Sequence, residues 1–355
     1  MVFIEKICIF AQQLRNNLIN IMEQKSKTNA KKTTKIALLT LLAVMLVVLI
    51  LSFLVCQYAL KAESHIRYLG MARVTSVKVG TIIKGMEMNA LNVFDEVEKH
   101  MDTPEAVVEA LKSKTSLNPD VRGYFAAFEP DYFKSQGRWY EPYVHHKDTS
   151  AFEVSQVGSA RHDYTQSEWY VEAKKYGDKF WSDPYYYYDG TDISGRYCTF
   201  VKPIYNKQNE LVCVCGADMT MEWLSKELKR LDDIAKNGAT LNVYSMLRSG
   251  DYYSVILNVD GSSIANPEGK QLAVTDENVL HHLVNDQNGY IDMDVNGVAS
   301  RVYYAPIDDI DWSVAVVVPL SDVRKPFWLT GAALFIIAMI GFVALWLACR
   351  RFRNA

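Results

Sequence analysis

Glycine, cysteine and histidine are scarce in this chain, and their scarcity excludes several kinds of chemistry. The 355 residues include 18 glycines, 6 cysteines and 7 histidines. His145–His146 and His281–His282 are adjacent pairs without metal-ligand spacing, and Cys213-x-Cys215 has no second pair nearby. Neither a glycine-rich phosphate loop nor a nucleophile with a histidine base can be assembled. We therefore expect no enzymatic activity, no cofactor and no metal.

Basic residues are also few over most of the chain. Seven Lys/Arg precede Ile36 and three arginines lie at the end, which leaves 28 basic and 39 acidic residues for the part between them. Nucleic acid needs a basic surface, so no nucleic-acid partner is expected. An acidic exterior mildly favours cationic ligands, although a solvated acidic surface has the same composition.

Cysteines that could form a disulfide are limited to one region. Cys198, Cys213 and Cys215 fall on neighbouring predicted strands, where a cross-strand disulfide is one alternative. An odd number without a framework favours the other alternative, three small buried apolar side chains. The sequence leaves their disulfide status open.

Two long apolar runs are present. Ile36–Cys56 has 21 uncharged residues and Phe327–Cys349 has 23, and each can cross a hydrocarbon core of roughly 30 Å. Lysines precede the first run and arginines follow the second, and basic flanks stay in the cytoplasm. We predict a two-pass protein of the inner (plasma) membrane with transmembrane helices at 36–58 and 326–349. Both termini (1–35 and 350–355) would be cytoplasmic, and the domain between the helices periplasmic or extracellular.

The two ends of the chain each allow two interpretations. Residues 1–24 could form an amphipathic helix on the inner membrane surface, or translation could begin at Met22. The chain ends at Ala355, six residues after the second apolar run, so a cytoplasmic output domain is expected either to be lost by truncation or to be supplied by a separate protein. The sequence separates neither pair of alternatives.

Helical and strand patterns alternate between the apolar runs. A proline-free stretch with helical spacing of apolar residues predicts one long helix over 59–101 that emerges from the membrane. Short strands and helices follow over 102–236 and again over 237–323, with Asn237–Gly238 between the two sets. This order predicts an α+β fold of two modules in tandem, flanked by two transmembrane helices.

Aromatic and acidic side chains are concentrated between Arg161 and Asp218. Large rings, carboxylates and a Pro/Gly-marked loop lie there between apolar strands. Rings with polar tips give both buried area and directed hydrogen bonds, so this composition is more typical of a small-molecule pocket than of a plain core. In the run Tyr185–Tyr188, alternation would point the second and fourth tyrosines away from the first and third.

Short motifs are distributed over both modules: Phe125–Pro130, Asp163–Gln166 with Trp169–Tyr170, Trp181–Tyr185, Gly216–Thr220, Tyr303–Pro306 and Trp312–Pro319. Together they resemble the double Cache (PAS-like) sensor domain of bacterial transmembrane receptors, over residues 59–323. The resemblance is greatest to Cache receptors of the Bacteroides group whose cytoplasmic part is a serine/threonine phosphatase. It implies tandem PAS-like Cache modules on a long N-terminal helix, with the ligand site in the membrane-distal module (102–236) and a membrane-proximal module over 237–323.

The resemblance also implies which residues line the ligand site. The family's Trp-Tyr pair, its tyrosine after proline and its Gly-Ala-Asp aspartate correspond to Trp169, Tyr170, Tyr185 and Asp218. With their neighbours, the candidate ligand-binding residues are Trp169, Tyr170, Trp181, Asp183, Tyr185, Asp218, Tyr164 and Arg161. The alternative is a packing role for the aromatic residues, with Asp218 capping a helix that begins near Met221.

One departure from the family pattern bears on the ligand. Amino-acid-binding members place an arginine two residues before the tryptophan, where this chain has Ser167, and an aspartate where it has Tyr187. Serine offers one neutral donor to a ligand carboxylate in place of a bidentate cation, a loss of about 1.5–3 kcal/mol, unless Arg161 substitutes. The aromatic cluster with Asp218 instead suits an ammonium group.

We therefore predict a non-catalytic transmembrane sensor that binds a small molecule, an amine or amino-acid-like ligand, and relays its state through the membrane helices. The resemblance implies a homodimer along the long outer helix, and a separate cytoplasmic output protein is a further expected partner. The alternative is a membrane-anchored scaffold subunit that binds a protein or a cell-wall fragment. A closed pocket near Trp169 and Asp218 would favour the sensor, and an exposed aromatic patch at Tyr185–Tyr188 would favour the scaffold.

Overall fold

The chain divides into two units. The computed structural model describes residues 2–113, 118, 120–146, 151–188, 190–191, 193–239, 250–269 and 272–354. One unit consists of Met1–Glu63 with Pro326–Ala355, and the other is Ser64–Lys325.

The first unit is formed by two long helices. Helix α1 runs over Val2–Lys99 and the last helix of the chain over Leu320–Asn354. Both contain a segment long and apolar enough to cross a membrane, within Lys32–Lys99 and Leu320–Ala348. A glycine permits close approach of the two helices, since a Cβ at Gly341 would lie 3.2 Å from Sδ of Met45.

The second unit begins with the outer part of α1 and a seven-stranded antiparallel sheet. Its strands are β1 (Gly123–Phe128), β2 (Pro142–His146), β3 (Phe152–Gln156), β4 (Phe180–Trp181), β5 (Tyr185–Tyr187), β6 (Gly195–Tyr205) and β7 (Leu211–Thr220). Their order is β3-β2-β1-β7-β6-β4, and β5 also pairs with β6. Two short helices accompany the sheet, α2 (Pro104–Lys112) and α3 (Glu168–Tyr176).

Each short helix has clear end signals. The hydroxyl of Thr103 accepts a hydrogen bond from the backbone N–H of Ala106, and Pro104 occupies the first turn of α2. Helix α3 ends at Gly177, whose φ of 71° is the left-handed conformation that glycine adopts without strain. Helix α4 (Met221–Ala239) then leads out of the first sheet and spans the boundary predicted near residue 237.

A five-stranded antiparallel sheet follows. Its strands are β8 (Tyr253–Asn258), β9 (Ser263–Ala265), β10 (Gly289–Val295), β11 (Val298–Pro306) and β12 (Trp312–Pro319), in the order β10-β11-β12-β8-β9. Helix α5 (Glu277–Val284) lies between β9 and β10 in the chain, and Asp276 caps it by accepting from two backbone N–H groups. The last helix, α6, begins directly after β12. The predicted α+β class with a long N-terminal helix is confirmed.

The two faces of the first sheet have different partners. Residues of α1 between Val79 and Val97 share one core with one face of the sheet, with α2 and α4, and with Ile256 and Trp312 of the second sheet. The opposite face carries the cluster around Trp169. Strand residues alternate between these faces, so neighbours in sequence belong to different environments.

The cysteines of this sheet all lie on the α1 face. Cys198, Cys213 and Cys215 are fully buried free thiols. Of the two alternatives that the sequence left open, the structure has the buried apolar one, and burial raises the pKa of the Cys213 and Cys198 thiols far above the usual range.

Candidate functional site

A cavity opens on the face of the first sheet that is turned away from α1. It holds about 400 Å³ of space free of protein atoms, its opening to solvent included. The floor is made by β1, β2, β5, β6 and β7, and α3 supplies a wall. The residues that line it are Phe125, Glu141, Tyr143, Val157, His162, Trp169, Tyr185, Tyr187, Ile193, Tyr197 and Asp218.

Two glycines make room for the rings of the cavity floor. A Cβ at Gly216 would lie 2.1 Å from the ring of Phe125, its cross-strand neighbour. A Cβ at Gly123 would lie 2.6 Å from the ring of Tyr143. Because glycine has no side chain, both rings can lie flat over the adjacent strand and form the cavity surface.

Asp218 lies at the centre of this floor within a chain of hydroxyl groups. It is paired across the sheet with Gly123 of β1 and Thr199 of β6. The Thr199 hydroxyl donates to Oδ1 of Asp218 over 2.6 Å. The Tyr185 hydroxyl lies 2.7 Å from Oγ1 of Thr199 and 3.5 Å from Oδ1 of Asp218. Since Thr199 uses its proton for Asp218, Tyr185 donates to Thr199.

Burial governs the protonation of Asp218. Removal from water raises the pKa of this carboxyl from 3.8 to about 6, even though hydrogen bonds from Thr199 and Tyr185 favour the ionised form. The charge of Asp218 in turn adds to burial in raising the pKa of the Tyr143 and Tyr185 hydroxyls above their usual range. Near neutral pH the cavity floor therefore presents an ionised carboxylate surrounded by neutral donors.

A second carboxyl, that of Glu141, lines the same cavity just before β2. Its side chain is 4% exposed, and its Oε2 lies 3.7 Å from Nε2 of His162. Burial, followed by the nearby Asp218 charge, raises the pKa of Glu141 well above its usual range. The ring of His162 stands edge-on to Tyr187, with the two centroids 5.0 Å apart.

Three of the predicted site residues are brought together by the fold. Trp169, Tyr185 and Asp218 all line the cavity. Trp169 stands in the first turn of α3 and packs against Phe125, with ring centroids 4.9 Å apart. Tyr185 and Tyr187 turn inward from β5, while Tyr186 and Tyr188 are exposed, the alternation expected for an extended segment.

Two other predicted residues lie behind the cavity wall. The Tyr164 hydroxyl donates to the carbonyl of Phe128 over 2.5 Å, and its ring is fully buried. The Tyr170 hydroxyl donates to Glu129 over 2.9 Å. Both rings belong to the apolar cluster on this face of the sheet, but neither lines the cavity.

Trp181 faces the opposite side of the sheet from Tyr185. The two are four residues apart, which in one continuous strand would place them on the same face. Their partners on β6, Phe200 and Tyr197, are only three residues apart, because the pairing breaks between β4 and β5. A shift of the pairing register by an odd number of residues moves a side chain to the other face of the sheet. Trp181 therefore packs in the α1 core.

The remaining predicted residues lie at the surface. Asp183 is exposed and accepts from the side chain of Asn258 over 3.0 Å. Arg161 is exposed and does not line the cavity, whereas the next residue, His162, does. Ser167, at the position of the family's arginine, is the residue that begins α3.

Sequence reasoning missed most of the other lining residues. The sequence did not give the order of the strands in the sheet, and three of the missed residues lie on or beside these strands: Glu141, Tyr143 and Tyr197. The alternation of Tyr143 with buried Val144 was the available signal for that residue. Among the residues that the structure describes, no group of three or more His, Cys, Asp or Glu is placed to hold a metal ion.

Comparison with known proteins agrees with this geometry. Residues 107–226 match the family model of the first PDC sensor domain of methyl-accepting chemotaxis protein-like receptors. The fold is similar to the periplasmic sensory domain of the Campylobacter jejuni chemoreceptor Tlp1, with a TM-score of 0.60 and 13% identity over 75% of this chain and 99% of that one. None of the curated proteins is significantly similar to the chain in sequence.

Two further similar structures were determined with a ligand. The ligand-binding domain of the Pseudomonas fluorescens chemoreceptor CtaA in complex with L-isoleucine has a TM-score of 0.51 and 15% identity, over 76% of this chain and 98% of that one. The ligand-binding domain of Mlp24 with asparagine has a TM-score of 0.50 and 16% identity, over 76% and 96%. At sequence identities this low, the similarity shows a common fold and nothing more.

The fold and its cavity define an extracytoplasmic ligand-sensor domain of the kind found in chemoreceptors and histidine kinases. The match of residues 107–226 to the PDC sensor-domain model supports this classification. With the two apolar helices, this indicates a membrane protein whose sensor domain lies outside the cytoplasm. The predicted link to phosphatase-coupled receptors of the Bacteroides group stays a prediction.

Proposed function

We propose that the chain is a transmembrane sensor whose cavity binds a small organic cation, such as a primary amine, without catalysis of its own. The observation that carries the proposal is the lining of the cavity. Two buried carboxyls, Asp218 and Glu141, face a space walled by aromatic rings, and none of the described lining residues is lysine or arginine. Aromatic faces attract cations, and a buried carboxylate gives an ammonium group a charged partner.

An α-amino acid fits this lining less well than an amine. Its carboxylate would enter a space that already holds the Asp218 carboxylate, and burial strengthens the repulsion between like charges. Ser167 offers no positive charge at the position of the family's arginine, and Arg161 is exposed. L-isoleucine and asparagine are ligands of CtaA and Mlp24, and their mode of binding need not extend to this chain.

Isothermal titration of the full chain in lipid nanodiscs tests the proposal. A panel of primary amines is compared with the corresponding N-acetyl amides, which have the same carbon skeleton without the charge. We expect amines to bind and amides not to. Asp218→Asn should weaken amine binding by about tenfold to a hundredfold, the value of one charged hydrogen bond.

The matched control is Asp178→Asn, which removes a charge from an exposed position after α3. This variant should bind amines as the unmodified chain does. Binding of amino acids with no response to any amine would contradict the proposal.

We further propose that ligand occupancy is relayed through Trp181. Its indole N–H donates to Glu87 of α1 over 2.9 Å, and its ring packs 5.9 Å from that of Trp312 on β12. Tyr185, on the cavity floor, follows four residues later. One side chain thus contacts α1 and the strand that leads directly into α6, the two elements that contain the apolar segments. A shift of Tyr185 on ligand binding would therefore change the packing of both α1 and β12.

Trp181→Phe separates binding from relay, because it keeps a ring and removes the hydrogen bond to Glu87. We expect amine affinity within about threefold of the unmodified chain, but loss of the ligand-induced change in hydrogen exchange over Val79–Ala90 of α1. Trp223→Phe on α4 serves as the control. An undiminished change in Trp181→Phe would contradict this route.

A homodimer through α1 is supported by an exposed apolar stripe on that helix. Ile66, Val74, Val77 and Met88 are all exposed, and their spacings of 8, 3 and 11 residues place them on one side of the helix. We expect Val77→Glu to convert a dimer into a monomer in light-scattering mass measurements in detergent. Lys78→Glu, on a neighbouring exposed face, should leave the dimer intact. An unchanged mass for Val77→Glu would exclude this stripe as the interface.

The proposed topology keeps both termini in the cytoplasm and residues 59–325 outside, with the ligand module at 102–236 and the membrane-proximal module at 237–323. The lysines before the first apolar segment and the arginines after the second support it. Alkaline phosphatase, which is active only outside the cytoplasm, should be inactive when fused after Ala355. An active fusion would reverse the assignment of the C-terminus.

One observation supports the scaffold function as a second candidate. Tyr186 and Tyr188 are 68% and 73% exposed, and their rings stack with centroids 6.5 Å apart. Stacked exposed rings are suited to the faces of sugars in a cell-wall fragment. Titration of muropeptides into the chain and into a Tyr186→Ser/Tyr188→Ser variant tests this candidate. Binding that the variant loses would support the scaffold function. Absence of binding would leave the amine sensor as the remaining candidate.

A further inference from the structure

Glu141 is a buried carboxyl that the protein itself does not satisfy. Its Oε2 is inaccessible to water and has no hydrogen-bond donor among the described residues. Nε2 of His162 lies 3.7 Å from this oxygen, which is beyond hydrogen-bond length. A buried polar atom left without a partner is destabilising, and such an atom in a native protein calls for a physical explanation.

The backbone holds Glu141 in this place. Its N–H donates to the side chain of Gln156 over 3.3 Å, and its carbonyl accepts from the N–H of Val157 over 3.1 Å. Pro142 follows at once and begins β2. These hydrogen bonds hold the main chain at Glu141, so the position of its carboxyl against the cavity is a feature of the fold.

The cavity thus has acidic groups at two separate places. Asp218 lies on β7 and Glu141 directly precedes β2, and β2 and β7 flank β1. Strands two apart in a sheet are about 10 Å from each other. The Asp218 carboxylate is already supplied with hydroxyl donors by its neighbours, whereas Oε2 of Glu141 has no donor among the described residues. The two carboxyls are therefore anchored on different strands, where they can contact different groups of one ligand.

We propose that the ligand has two separated cationic nitrogen groups, as in an α,ω-diamine, and that Glu141 is the residue that binds the second one. This inference rests on the proposed function, since it assigns the first group to Asp218 and the rings around it. Glu141 then determines specificity: it distinguishes a dication from a monoamine of the same length. The unsatisfied Oε2 accepts from the ligand the hydrogen bond that the protein does not supply.

The test is a chain-length series titrated into the full chain in nanodiscs. Diamines with three to six methylene groups are compared with 1-aminoalkanes of matched length. We expect the best diamine to bind at least about tenfold more tightly than its monoamine, with an optimum length within the series. Glu141→Gln, which keeps the shape and removes the carboxylate, should reduce that preference to about threefold or less, because it weakens the binding of the diamine far more than that of the monoamine.

Two controls keep the outcomes distinct. Glu153→Gln removes an exposed carboxylate from the adjacent strand β3 and should leave the preference unchanged. Asp218→Asn should weaken diamines and monoamines alike. Equal affinities for diamines and monoamines, or a preference that survives Glu141→Gln, would overturn the role of Glu141 while leaving the amine sensor in place. Absence of binding by every amine would overturn the proposed function and this inference together. Because the chain-length series is decisive in the unmodified chain, the test does not depend on the variant folding.

Discussion

Asp218 is both the charged group of the cavity and a source of instability in the empty protein. Its pKa is 3.8 when unperturbed and about 6 in the folded chain, so between these values the folded state binds more protons than the unfolded state. The free energy of unfolding therefore falls as the pH rises from about 4 to 6, by about 3 kcal/mol from this group. A cation that binds beside the carboxylate would restore that stability.

Asp218→Asn is accordingly expected to stabilise the protein without ligand. Asparagine keeps an oxygen that can accept from Thr199, and it carries no charge to bury. The variant should match the unmodified chain at pH 4 and exceed its unfolding free energy by about 2–3 kcal/mol at pH 7.5. Thermal unfolding followed by tryptophan fluorescence measures the difference, with Asp178→Asn as the control. A difference that is the same at both pH values would contradict the prediction.

Gly216 and Gly85 give opposite predictions for the same substitution. A Cβ at Gly216 would clash with the Phe125 ring, whereas a Cβ at Gly85, within helix α1, meets no atom within 4 Å. Gly216→Ala should therefore cost about 1–3 kcal/mol of stability and weaken ligand binding by displacing a cavity-floor ring. Gly85→Ala should stabilise the helix by about 0.5–1 kcal/mol. Melting temperatures that move in the same direction for both variants would contradict the packing described for Gly216.

At the scale of elements, helix α4 is tied to the second sheet by one side chain. Both oxygens of buried Asp232 accept over 2.7 Å from Ser254 on β8, one from its N–H and one from its hydroxyl. Asp232→Ala would leave two buried donors unpaired and should cost about 2–4 kcal/mol. Asp233→Ala, at the next and exposed position, should have little effect. Urea unfolding of both variants measures the loss of unfolding free energy. Equal losses in the two variants would contradict the role of the Asp232–Ser254 contact.

The helices and strands themselves could largely be predicted from the sequence, whereas their pairing could not. The long helix, the α+β order and the inward Tyr185 follow from periodicities of 3.6 and 2 residues, which are local. The placement of Trp181 does not, because it depends on how β4 and β5 pair with β6. Glu141 was missed for a related reason: its meeting with Asp218 requires β2 and β7 to flank β1, and pairing between distant strands leaves no local pattern.

At the scale of the whole molecule, the two sheets of the second unit share one hydrophobic core. Val314 of β12 and Ile256 of β8 belong to the same buried cluster as Phe94 of α1 and Phe200 of β6. Elements that bury their apolar surface in a common core lose that burial together. The outer domain is therefore expected to unfold in one cooperative transition, and a ligand bound to the first sheet to stabilise the second as well.

Val314→Ala tests this cooperativity. The side chain is fully buried in the second sheet, and its truncation should cost about 1.5–3 kcal/mol through lost burial and a small cavity. If the core is shared, native-state hydrogen exchange should accelerate equally for the slowest amides of β12 and of β7, although β7 lies in the other sheet. The control, Val298→Ala, truncates an exposed side chain and should change neither. Acceleration confined to the second sheet would mean that the two modules unfold separately. A binding event in one module could then not bias the packing of the other, and a relay through their shared core would lack its physical basis.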